Sequence, residues 1–242
     1  MADRILPEFI GKARAFRERI SNADERQFGP VRDAAYASLR RRIRQKPTFR
    51  EPECQDLLRH WKQAGETYGQ LNAPHMNYSK HAVRFTSVRL LASEGQSDEW
   101  TDGERETGIT MTMVRLTADG KEGTVALDAK ALAIFSLHAL ARYYQRAFQS
   151  SDDALIAAMW GVLPDIKALI TATTVDEFGL PVIAAGGHWF GWINPVMHVE
   201  DNELIGENDA LNVRTFHTDR QDNKLWVRHT GTSNWVALAK PS

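Results

Sequence analysis

With 242 residues, 43% of them hydrophobic and 25% charged, the chain has the composition of a soluble globular protein large enough to bury a substantial core. No apolar run approaches the roughly 20 residues that a membrane span needs, and Cys54, the only cysteine, excludes an intrachain disulfide and fits a reducing, cytoplasmic setting. The net charge of −1 hides an asymmetry: residues 1–50 carry thirteen Lys/Arg against six Asp/Glu, and the basic excess peaks at Arg40, Arg41, Arg42 and Arg44.

The N-terminal stretch has no long apolar core, so no export signal is expected. Residues 1–72 read as a basic helical zone. Phe9, Ala13, Phe16 and Ile20 recur at helix spacing. Ser21 to Pro30 should interrupt the pattern at Gly29-Pro30. A second helix is expected from Val31 to Arg44, and a third from Pro52 to Gly65 with Leu57, Leu58 and Trp61 inward. Gly69 to Pro74 reads as a linker to an α+β domain over residues 73–242. There, His81 to Leu91 is rich in strand formers, and Glu94 to Gly108 reads as a polar loop. Ile109 to Leu116 alternates, with Ile109, Met111 and Met113 on one face and Thr110 and Thr112 on the other. Asp119-Gly120 signals a hairpin into a short strand at Thr124 to Leu127.

Asp128 is a suitable N-cap for a following helix. On that helix His138, Arg142, Gln145 and Arg146 recur at three- and four-residue steps and share a face. Ile134, Leu137, Ala141, Tyr144 and Phe148 form another face, suited to packing. A further helix over Ser151 to Thr171 should be split by Pro164. The remainder reads as strands and turns: Leu180 to Ala185, Gly186-Gly187, His188 to Ile193, Leu211 to Thr218, Lys224 to Thr230 and Trp235 to Leu238. These strands lie too close in sequence for parallel crossovers, so the sheet should be mainly antiparallel and the fold class α+β.

Chemistry concentrates on the helix and the late strands. Metal-free RNA cleavage needs a base for the 2′-hydroxyl, an acid for the leaving oxygen and cations for the developing charge. An imidazole titrates near neutrality, and a guanidinium clamps phosphate with two parallel donors. His138 with Arg142 and Arg146 supplies both types. Thr215 can donate to a phosphate oxygen, and His217, two residues along a strand, shares its face and can supply the second proton-transfer group. Trp189, Phe190 and Trp192 can stack a base. Arg40, Arg41, Arg42 and Arg44 can hold phosphates electrostatically. The same helix also reads as a solvated face, and the same aromatics as core.

The pattern Ser136-x-His138-Ala139-x-x-Arg142-x-x-x-Arg146, followed later by Arg214-Thr215, resembles toxin-like ribonuclease domains of the barnase/EndoU/RelE-like superfamily over residues 130–230. The chain departs from those domains at Ala147-Phe148-Gln149, where members usually carry a glycine. The resemblance implies a metal-independent ribonuclease that cuts RNA by transesterification, without a cofactor. A partner would then be RNA, or a protein such as an inhibitor, and no membrane. The competing class is a non-catalytic module that binds nucleic acid or protein. A zinc site from His188, His198, His217 and His229 is a weaker reading, because no compact ligand motif accompanies them.

Overall fold

The computed structural model describes residues 5–65, 74–94, 107–170, 174–200, 203–218 and 222–238. The helices are α1 (Pro7–Ala23), α2 (Gly29–Gln45), α3 (Glu51–Gly65), α4 (Leu137–Arg146), α5 (Asp152–Gly161) and α6 (Leu163–Ile170). The strands are β1 (His75–Tyr78), β2 (Ala82–Glu94), β3 (Thr107–Asp119), β4 (Thr124–Ser136), β5 (Val175–Val182), β6 (Gly187–Glu200), β7 (Glu203–His217), β8 (Leu225–His229) and β9 (Val236–Leu238). They hydrogen-bond in the order β1-β2-β3-β4-β7-β6-β5-β8-β9. The sheet is mostly antiparallel, with β4 and β7 parallel. The class is α+β, as expected. Among the described residues no helix is long and apolar enough to cross a membrane. The expected linker at 69–74 and the polar loop at 94–108 lie almost wholly outside the described residues.

Two compact units share the chain: Met1–Glu18 with Ala92–Met111 and Ala131–Ser242, and Arg19–Leu91 with Thr112–Lys130. The helical zone therefore does not part from the strands near residue 72; α2, α3 and the first strands build one core.

In that unit Trp61 is buried, edge-on to Phe28 at 5.0 Å and stacked with Phe85 at 6.1 Å, while its Nε1 donates to Ser87 Oγ at 3.0 Å. Burial of Phe28 explains why Ser21 to Pro30 does not break the helix. The backbone passes through one π turn, Asp24–Phe28, in which the Gly29 N–H bonds Asp24 O. Pro30 falls at the start of α2, where its missing N–H costs nothing. The turn sets Phe28 under the Arg89 guanidinium, 3.4 Å from the ring centroid, with Asp24 Oδ1 3.5 Å from Arg89 Nε. Desolvation, opposed by Asp24, lowers Arg89 to about 10. Burial, reinforced by Glu53, pushes the Cys54 thiol up to about 11, which argues against thiolate chemistry there.

The other unit packs α4 against β7. Tyr143 stacks on Trp189 at 5.3 Å, and both meet Phe216, at 5.1 and 5.0 Å; Phe135 closes the cluster 5.4 Å from Trp189. Three expectations change. The helix does not start after Asp128: β4 runs on to Ser136, because Ala133, Ile134 and Phe135 pair in parallel with Leu211, Asn212 and Val213, and tertiary pairing overrides the helix propensity of an alanine-rich stretch. The packed face of α4 is Ala139, Leu140, Ala141, Tyr143 and Tyr144; Ile134 lies on the strand and Phe148 is exposed beyond the helix. On β3, Thr110 and Thr112 are buried as well as Ile109 and Met111, so that strand is not half-solvated. Pro164 does divide the next helical stretch, into α5 and α6.

The decisive local feature is a β-bulge in β7. Phe190 pairs with Thr215, yet the next residue, Gly191, pairs with Val213, so Arg214 is the extra residue. Ser136 Oγ serves this point twice. It accepts from Ala139 N at 3.1 Å, capping α4, and donates to Arg214 O at 3.4 Å. Across from the bulge, a Cβ on Gly191 would lie 1.8 Å from Asn212 O, a backbone atom that cannot withdraw. Ser136→Ala should cost about 1 kcal/mol as a lost cap, and Gly191→Ala should destabilise more; urea unfolding of the two variants measures both.

Candidate functional site

His138 sits in the first turn of α4, exposed, with Arg142 and Arg146 one and two turns on. Arg142 Nη1 donates to Gln145 Oε1 at 3.0 Å, so these two side chains share a face. Arg146 crosses to β7: its Nη1 donates to Phe216 O and to His217 Nδ1, both at 2.9 Å. A guanidinium only donates, so this contact belongs to the neutral His217, with Nδ1 accepting and the proton on Nε2; the protonated His217 instead adds to the positive charge around His138.

The bulge changes what β7 offers. Val213 and Phe216 both face the core although three residues apart, while Thr215 and His217 stay two apart with no irregularity between them. Thr215 and His217 therefore share a face, as expected. Arg214 swings beside them, and its guanidinium carbon lies 4.5 Å from the Trp192 ring centroid.

The groups converge electrostatically. The His138 imidazole titrates below its ordinary 6.5. Desolvation is the largest cause, followed by the charges of Arg142, Arg146, Arg214 and His217. Every one of those neighbours is a cation or an imidazole. Helix and strand thus bring together His138, Arg142, Arg146, Arg214 and His217, with Thr215 between the last two on β7.

Other expected residues fall elsewhere. Trp189 is fully buried, packed against Tyr143, Phe216 and Phe135, and no base can reach it. Trp192 is half-buried under Arg214. Arg40, Arg41 and Arg44 are exposed on α2, in the other unit. Arg42 is engaged in structure: its Nε donates to Thr48 O at 3.1 Å and its Nη2 lies 3.0 Å from Glu53 Oε2. Among the described residues no three His, Cys, Asp or Glu side chains gather as a metal-binding group. His188 is buried, with Nε2 3.2 Å from Lys224 O and 3.4 Å from Asp222 Oδ1; His229 Nδ1 is 3.1 Å from Thr174 Oγ1. The side chain of His198 lies outside the described residues.

No protein-family model, curated protein or solved structure matches this chain. The site therefore rests on its own geometry. Sequence reasoning placed Ser136 in the helix pattern but missed its role, in which the hydroxyl ties the start of α4 to the bulge carbonyl. Its signal was its place two residues before His138 and one after a β-rich run.

A titration of His138 checks the electrostatics. Followed by its Cε1–H resonance, the midpoint should lie below 6.5. Arg214→Gln removes one opposing charge and should move the midpoint back up toward 6.5, and so should Arg142→Gln.

Proposed function

We propose that the α4–β7 site is a metal-independent ribonuclease-type centre that cuts RNA by transesterification. The observation that carries the reading is the ring of cations about a neutral imidazole: a lowered His138 is unprotonated at neutral pH, ready to accept a proton, and its neighbours hold the positive charge a phosphodiester requires. In this reading His138 takes the 2′-hydroxyl proton and the 2′-oxygen attacks phosphorus. The bond to the 5′-oxygen breaks, and that oxygen leaves with a proton from water. Arg142, Arg146 and Arg214 offset the charge on the phosphoryl oxygens.

His217 takes a different part from the one its residue type suggests. A second proton on Nδ1 would require giving up the bond from Arg146. His217 is accordingly a hydrogen-bond donor through Nε2 and a stay for Arg146, rather than the general acid.

The products should carry 2′,3′-cyclic phosphate, DNA should survive for want of a 2′-hydroxyl, and EDTA should leave the rate unchanged. His138→Ala should lower the rate about a hundredfold or more. The rate should rise with pH through one limb with a midpoint below 6.5 and then level off, because His138 is active as the neutral form. A bell-shaped profile would return His217 to the role of acid, and full activity in a folded His138→Ala protein would refute the catalytic reading.

A non-catalytic nucleic-acid-binding module is the second reading, favoured by the exposed Arg40, Arg41 and Arg44. If these contact phosphates, replacing all three by Gln should reduce the slope of log affinity against log salt by about 2, at roughly 0.7 per phosphate of a single strand. An unchanged slope would assign them to a solvated helix face.

A further inference from the structure

We infer that the face of the β8-β5-β6-β7 sheet turned away from α4 is a stacking platform for unstacked bases of single-stranded RNA. This deepens the proposed function and rests on it. The strand register lays out two rows of side chains on that face. One runs Trp226, Gly179, Phe190, Thr215, and the next runs Arg228, Glu177, Trp192, Asn212. Alternation separates them from the packed face: Leu225, Val227, Phe178, Leu180, Trp189, Val213 and Phe216 are buried, whereas Trp226, Phe190, Trp192, Thr215 and His217 are half-buried, and His188, next along β6 on this side, is covered by Lys224 O and Asp222. Large aromatics usually bury; three of them held half-open on one sheet, with Trp235 beside Phe190 just before β9, form an arrangement suited to stacking.

The rings are held in place rather than loose. A Cβ on Gly179 would sit 2.6 Å from Phe190 Cε1, so the phenyl ring lies across the glycine. Phe190 also meets Trp235 at 5.8 Å and His217 at 5.7 Å, edge to face. Trp226 Nε1 donates to Asp222 Oδ1 at 3.0 Å, which fixes the indole. The acids of the region are engaged: Glu177 pairs with Arg228, and Asp222 accepts from Trp226 and from Lys224 N.

Arg214 decides the occupant. Its guanidinium lies on Trp192, and its charge also reaches His138. The aromatic rows thus run directly into the cationic site proposed for the phosphate, so bases on the rings and phosphates at the arginines would belong to one strand. A duplex hides its base faces and cannot use such a surface; a single strand can.

The test uses a short 2′-O-methyl oligonucleotide, which can bind but lacks the hydroxyl needed for cleavage, so failure of the catalytic reading leaves the result readable. Tryptophan fluorescence should be quenched on binding, and the duplex of the same sequence should compete at least about tenfold less well. Trp192→Leu and Trp226→Leu should each weaken binding about fivefold or more, the range for losing one stacked base. Should either tryptophan variant unfold, ultraviolet crosslinking of the same oligonucleotide bearing halogenated uracil to the unaltered chain decides. Adducts on Phe190, Trp192 or Trp226 support the platform. Adducts confined to other residues, or unchanged affinity in both folded tryptophan variants, overturn it and leave this face to a protein partner.

Discussion

The single extra residue at Arg214 sets which side chains the late strands show to which side. In a regular strand Val213, Thr215 and His217 would share a face, and a one-residue slip would exchange core and surface along the whole strand. The bulge resolves this by giving both Val213 and Phe216 to the core and releasing Thr215 and His217 to the other side. A bulge also leaves a backbone group outside the ladder, and a buried carbonyl without a partner is costly. Ser136 Oγ supplies that partner while capping α4. The helix that carries His138 is therefore registered against the strand that carries Arg214 through one hydroxyl.

A cluster of like charges opposes folding, and its persistence here needs an account. Part of it is structural. Arg146 closes the C-terminal end of α4 onto β7 through Phe216 O and His217 Nδ1, and Arg142 is steadied by Gln145. Those contacts hold the guanidinium groups on one side of the helix. Comparable compensation occurs in the other unit, where Arg89 is held between Asp24 and the Phe28 ring. Around His138 the charges that shift its proton come from three guanidinium groups and an imidazole, after desolvation as the largest cause.

Much of this was legible in the sequence wherever a local signal and the tertiary structure agreed. The α2 and α3 boundaries, the Asp119-Gly120 turn and the split at Pro164 follow from spacing and turn chemistry alone. The failures share a cause. Residues 128–135 have helical composition, but β7 offers them a ladder. Ser21 to Pro30 carries breakers, but Phe28 has a place beside Trp61. Trp189 and Trp192 sit in one aromatic run, and only the register shows that the first belongs to the core and the second to the open face. Nothing in Asn212-Val213-Arg214-Thr215-Phe216-His217 announces a bulge, because its cause is the partner strand: Gly191 permits the close approach of Asn212 O that the irregular pairing demands.

The depressed imidazole and the cationic field are then two aspects of one arrangement. If the proposed reading holds, arginines close enough to grip a phosphate beside His138 are also close enough to disfavour its proton, which adds to the effect of desolvation. In the proposed reading a bound phosphodiester opposes that part of the shift: its negative charge offsets the cations that, after desolvation, lower His138, and raises the proton affinity of the ring at the moment a proton must be accepted. Such coupling needs no second titrating group tuned to match. This is consistent with a His217 whose Nδ1 is committed to Arg146, and it places the chemical demand on the geometry between α4 and the bulge rather than on a pair of histidines.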